Sequence, residues 1–309
     1  MQQSDMDRCN AQYGRPGRVE FSLDVHGQAR VELRFKDSTL MVYLQGAHVT
    51  ACQLGADAAL LWTSQSANYQ PGKAIRGGIP LCWPWFGAHP SRPDHPQHGY
   101  ARTSGFDVIN SDFEDDFTGI QLRLVLATPE LSEWHADGDI ELTVTLRLSD
   151  ALWLQLDTHN RSTATVPVSL ALHSYFNVGD VAQISMPGLA GLGYIDKLRA
   201  GERRQQMAPL VINEAIDRIY LDPPQSIEIH DPVLNRRVQV RSWGNTELVV
   251  WNPGAEGARA MIDFDDAGYV EMVCVEPAIA SDNRVLLVPG ATLTVGQEIT
   301  STQLVSDVG

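Results

Sequence analysis

Apolar residues recur at every second position in one short segment after another, and this restricts the chain to sheets before anything else is considered. Val19-Glu20-Phe21-Ser22-Leu23-Asp24-Val25 and Val31-Glu32-Leu33-Arg34-Phe35-Lys36 alternate in this way, with His26-Gly27-Gln28 as the turn between them. Residues 39–44 and 59–62 continue the pattern, and Gly46-Ala47-His48 interrupts it as a bulge or sheet-edge bend would. Residues 140–148 and 152–158, joined by Ser149-Asp150-Ala151, predict an antiparallel hairpin. Further strands are expected at 121–126, 166–172, 183–186, 226–230, 237–242, 248–251, 269–275 and 291–295. The spacing predicts one short helix over 128–135. The expected class is all-β, a large sandwich with few short helices. Residues 1–17 are polar and are expected to form a loose leader, with 18–309 as one domain, since no repeat or composition break divides it.

A formal charge of −15 argues against nucleic acid as a partner, which favours a basic face. No apolar run approaches the ~18–20 residues of a membrane span, and the polar N-terminus lacks a signal-peptide core. Cys9, Cys52, Cys82 and Cys274 are scattered, without a Cys-x-x-Cys pair. That pattern argues against both a disulfide framework and a zinc-cysteine site, and it suits a reducing cytoplasm.

The densest chemistry lies between 74 and 106. Ile75-Arg76-Gly77-Gly78-Ile79-Pro80 and Gln97-His98-Gly99-Tyr100-Ala101-Arg102 flank a Pro- and His-rich loop. A guanidinium matches phosphate or carboxylate bidentately, so Arg76 and Arg102 read as an anion clamp. Gly77-Gly78 would offer a concave amide surface, and Trp83, Trp85 and Phe86 an apolar floor. The bland alternative is a packed loop whose arginines pair with structural carboxylates. His173 and Glu276 each end an apolar strand, where partial burial would tune them for proton transfer. The alternatives are a sheet-edge histidine and a surface carboxylate, and spacing does not show that the two meet. Asp217 is expected in a loop, accepting hydroxyl hydrogen bonds or pairing with a surface cation. His89, His95 and His98 lie close together, but Pro90, Pro93 and Pro96 between them suit a rigid lid better than a metal site. The Asp263-Phe264-Asp265-Asp266-Ala267-Gly268 run fails the calcium-loop pattern at Ala267 and Cys274.

These pieces, with Leu172-His173-Ser174-Tyr175-Phe176 and Cys274-Val275-Glu276-Pro277, resemble in order the hexose-6-phosphate mutarotases (glucose-6-phosphate 1-epimerases) of the aldose 1-epimerase superfamily. The resemblance spans about residues 20 to 300. It implies a galactose-mutarotase-like β-supersandwich and an isomerase of sugar-phosphate anomers, with no cofactor and no metal in the chemistry. It implies His173 as general acid and Glu276 as general base, with Arg76 and Arg102 on the phosphate, helped by Gln97. Asp217 would hold a hydroxyl, and His98 is a further ring or hydroxyl contact. Ser174 stands where many relatives carry threonine. A cytoplasmic monomer or weak homo-oligomer is expected, with a small hexose phosphate as partner. A neutral-sugar epimerase and a non-catalytic sugar-phosphate binder are the competing readings.

Overall fold

The computed structural model describes residues 2–89, 91–127 and 137–304, so the helix expected at 128–135 lies outside the described residues. The alternation seen in the sequence becomes three large antiparallel sheets. A seven-stranded sheet runs in the order Ser226–Asp231, Arg236–Trp243, Thr292–Gln303, Leu152–Asn160, Ile140–Leu148, Thr118–Leu126 and Asp107–Phe113. The hairpin at its centre pairs Leu148 with Leu152 across the Ser149-Asp150-Ala151 turn, as its sequence requires. Leu142, Val144, Leu146, Leu154 and Leu156 are wholly buried, every second residue pointing inward. A four-stranded sheet, Val19–Leu23, Ala29–Phe35, Ser38–Tyr43 and His48–Gln53, packs near Thr118–Leu126 and Ile140–Leu148.

The eight-stranded sheet carries the chemistry. Its path is Glu202–Gln205, Gly193–Asp196, Ile216–Leu221, Glu247–Asn252, Met272–Ile279, Leu170–Leu172 and Leu81–Cys82, and Tyr175–Asn177 also pairs with Met272–Ile279. Met272–Ile279 is buried along its whole length, as a central strand covered on both faces must be.

Several expectations change. The first 17 residues are not loose: Gln3–Tyr13 is an α-helix whose Met6 is fully buried. Asn10 exchanges two 2.8 Å hydrogen bonds with the backbone of Phe21, which fastens the helix to the first strand. Residues 59–62 and 183–186 form isolated bridges such as Leu61 with Phe176 and Ser185 with His230, not strands. The break expected at Gly46-Ala47-His48 is the turn between Ser38–Tyr43 and His48–Gln53, with Gly46 and Ala47 at positive φ, and a separate register shift lies between Met41 and Val42, opposite Thr50. Asp217 sits inside the strand Ile216–Leu221, not in a loop.

Candidate active site

Register, more than any single motif, assembles the site. Ala171 pairs with Ala278, and Tyr175 pairs with Cys274, so the register on either side of residues 172–174 is continuous. His173 therefore falls directly across from Glu276, on the face shared by Ala171, Tyr175, Cys274 and Ala278. The His173 Nδ1 and Glu276 Oε1 atoms are 3.2 Å apart. They are not aligned as a hydrogen bond: His173 Nδ1 and Glu276 Oε2 are both buried without a partner. Glu276 is not at the end of its strand but in its middle, with 1% of its side chain exposed, whereas His173 keeps 13%.

Aromatic rings hold the imidazole. Tyr175 stacks on His173 at 4.8 Å and 9°, and Trp251 meets it edge-on at 6.1 Å. The Tyr175 hydroxyl accepts a 3.2 Å hydrogen bond from Arg76 Nη1. Asp263 takes the rest of that guanidinium, from Nε at 3.3 Å and Nη2 at 3.1 Å. Arg76 thus reaches the site already oriented through a bidentate carboxylate.

The Gly77-Gly78 pair has a role other than the expected amide surface. The Gly78 amide donates to Trp62 O at 2.7 Å, and its carbonyl accepts from Tyr175 N at 2.8 Å. Gly78 has φ +64°, and a Cβ there would lie 2.0 Å from Val49 O. The glycines let three backbone segments converge, and that convergence sets the position of Arg76. Below them the fully buried His48 Nε2 contacts Gly77 O at 2.8 Å, while its Nδ1 has no partner. The ring is neutral, so Nε2–H donates to the carbonyl, and burial lowers its pKa to about 4 from the ordinary 6.5. Between pH 6.5 and 4 the unfolded chain binds a proton here that the folded one refuses, so stability falls as pH drops through that window. The loss attributable to His48 is about 3 kcal/mol. Urea denaturation across this range should show that slope in the native chain and a shallower one in His48→Gln.

On the other side of His173 stands His98, with ring centroids 5.9 Å apart. Its Nδ1 accepts from Gly87 N at 3.2 Å, and its face meets Phe86 at 5.1 Å. Arg102 is held by the Gln97 backbone carbonyl, which accepts from Nη2 at 2.7 Å, so Gln97 meets it through the main chain. Asp217 pairs with Lys197, Nζ to Oδ2 at 3.1 Å, and Lys197 also lies 5.9 Å over the Phe86 ring. Of the expected aromatic floor only Phe86 is near. Trp83 is in the core, its Nε1 donating to Thr158 Oγ1 at 2.9 Å, and Trp85 packs with His89 and Tyr100.

The charges reinforce this grouping. Burial holds His98 down to about 3, and the positive charges of Arg102, Lys197 and Arg76 push in the same direction. His173 is held well below the usual range by burial, then by His98, Arg76 and Arg102. Glu276 is held well above it by burial and then by Asp217, against the pull of Lys197. Both arginines therefore act on both histidines, and Asp217 and Lys197 act on the carboxyl. Lys197 and Asp263 were not singled out for these roles in the sequence. In the sequence Asp263 reads only as part of a failed calcium loop, and nothing local marks Lys197.

The pattern of the aldose 1-epimerase family matches residues 29–300. A protein of Escherichia coli strain K12, provisionally named glucose-6-phosphate 1-epimerase, is 35% identical over 242 residues, 78% of this chain and 80% of its own. A crystal structure of a provisionally named mutarotase from Salmonella typhimurium superposes with a TM-score of 0.85 at 26% identity, covering 93% of this chain and 94% of that one. The galactose 1-epimerase of Lactobacillus acidophilus shares the fold, with a TM-score of 0.71 at 13% identity over 93% of this chain and 99% of that one.

Proposed function

Because the chain belongs to the aldose 1-epimerase family, we propose that it interconverts the α and β anomers of a hexose 6-phosphate, glucose 6-phosphate foremost. The observation that carries the reading is His173 set across from Glu276 at 3.2 Å, with two guanidinium charges bearing on the imidazole. In the ring-opening step the Glu276 carboxylate takes the proton of the C1 hydroxyl as His173 gives one to the ring oxygen. The C1–O5 bond breaks and C1 becomes an aldehyde. Rotation about C1–C2 turns its other face, and closure returns both protons. No electrons, groups or water are consumed, so one acid and one base complete the cycle.

Burial favours a neutral His173 and a protonated Glu276 in the free site, which is the protonation state from which the open aldehyde recloses. A phosphate beside Arg76 and Arg102 offsets the charges that keep the imidazole neutral and so favours the form that opens the ring. The phosphate then serves as a handle and as part of the electrostatics. Asp217 and Lys197, at 3.1 Å from each other, would order hydroxyls on the sugar.

Two-dimensional exchange NMR on glucose 6-phosphate should show accelerated anomer interconversion, with free glucose slower. Arg102 is the cleaner probe of phosphate recognition, since Arg76 is already bound to Asp263. Arg102→Ala should lower kcat/KM for glucose 6-phosphate by about 10–100-fold, mostly through KM, and leave glucose nearly unaffected. Equal loss on both sugars would favour the neutral-sugar reading, and binding without exchange would favour a non-catalytic binder.

A further inference from the structure

Cys274 stands two residues before Glu276 on the same strand, so its side chain shares the face of the acid–base pair. A ring nitrogen of His173, the Cys274 sulfur and a Glu276 carboxylate oxygen lie within 4.8 Å of one another. The 3.2 Å separation of Nδ1 and Oε1 matches two neighbouring ligands on one tetrahedral ion with bonds of about 2.0–2.2 Å. His173 Nδ1 is also buried without a partner, so coordination would satisfy an atom that the protein leaves bare, and the second oxygen of the ligating carboxylate, Glu276 Oε2, is likewise bare. A nitrogen, a thiolate and a single carboxylate form a borderline-soft donor set, which suits zinc-like ions and not magnesium or calcium.

We propose that His173, Cys274 and Glu276 form a three-ligand site for a thiophilic divalent cation such as Zn2+, and that its occupancy stops anomer exchange. Binding replaces the thiol proton, which passes to solvent with any proton the pair holds, and no redox change occurs. The loss of exchange rests on the acid–base reading above; the binding does not. The mundane role of Cys274 is apolar packing against Tyr175 and Met272, and serine and alanine variants separate the two.

The test uses the full chain, stripped of metal, with the half-buried Cys9 replaced by serine throughout. Titration with Co2+ should give a thiolate-to-metal charge-transfer band that saturates at one equivalent. Cys274→Ser should abolish the band and weaken Zn2+ binding at least about tenfold, while metal-free exchange stays unchanged. Cys274→Ala carries the same expectation if serine disturbs the strand, and the band in the Cys9→Ser chain alone reports sulfur ligation. Zn2+ should suppress exchange reversibly, relieved by a chelator, and Mg2+ should not. A band that survives in both Cys274 variants, or the absence of Zn2+ and Co2+ binding at micromolar concentration, overturns the site. If the metal binds as described to a chain that catalyses no exchange, the site stands and the isomerase reading falls.

Discussion

Replacing Glu276 with glutamine should cut anomer exchange by about 10²–10⁴-fold, the usual contribution of a positioned acid or base. The amide has nearly the same shape but takes no proton from the C1 hydroxyl at neutral pH. Stability should change by less than about 1 kcal/mol, because burial already favours the uncharged carboxyl and the swap introduces neither a cavity nor a charge. Exchange NMR with glucose 6-phosphate and a urea denaturation curve together check this. A variant that folds as before and exchanges anomers at the native rate would remove Glu276 from the mechanism. The same experiment separates the carboxyl from Asp217 as the base, since Asp217 is untouched.

Gly78→Ala should destabilise the fold by more than about 2–3 kcal/mol, with activity lost in parallel. The added methyl would meet Val49 O at 2.0 Å and Thr50 Cα at 3.0 Å, and the positive φ disfavours any side chain. Relief requires moving the segment that carries Arg76 away from Val49, which disturbs the Gly78 carbonyl's bond from Tyr175 N and with it Arg76 and the stacked imidazole. Gly72→Ala is the internal control: its φ is +75°, yet nothing lies within 4 Å of the new atom. It should cost only about 1–2 kcal/mol, the conformational part alone. Equal effects for the two glycines would mean that the close backbone approach at Gly78 is unimportant.

Period-two alternation carried most of the fold into view, because half-buried strands must place every second side chain inside. It was weakest where a different rule governs. The helix Gln3–Tyr13 has no apolar stripe to read; it is tied down by Met6 and by Asn10 on Phe21, contacts made between distant segments. The strand holding Asp217 reads as a loop because charged Asp217 and Arg218 break its alternation, each answered by a partner on another segment, Lys197 and Gln206. His173 and Glu276 are legible as two residue types suited to proton transfer, but not as a pair. Their meeting depends on the register between Leu170–Leu172 and Met272–Ile279, set by pairings about a hundred residues apart, to which local periodicity is blind. Asp263 stayed hidden for the same reason: its meaning lies in Arg76, 187 positions away.

The carboxylate already attached to Arg76 bears on how the enzyme lets go. In the proposed phosphate site, a guanidinium whose fork faces Asp263 from two nitrogens would offer an incoming phosphate a shared grip in place of an exclusive one. The reactant and product of an anomer exchange carry the same phosphate, so tightness at that end holds both alike and only delays departure. Sharing the cation loosens the hold on each equally, which favours rapid turnover at generous sugar-phosphate levels over scavenging at scarce ones.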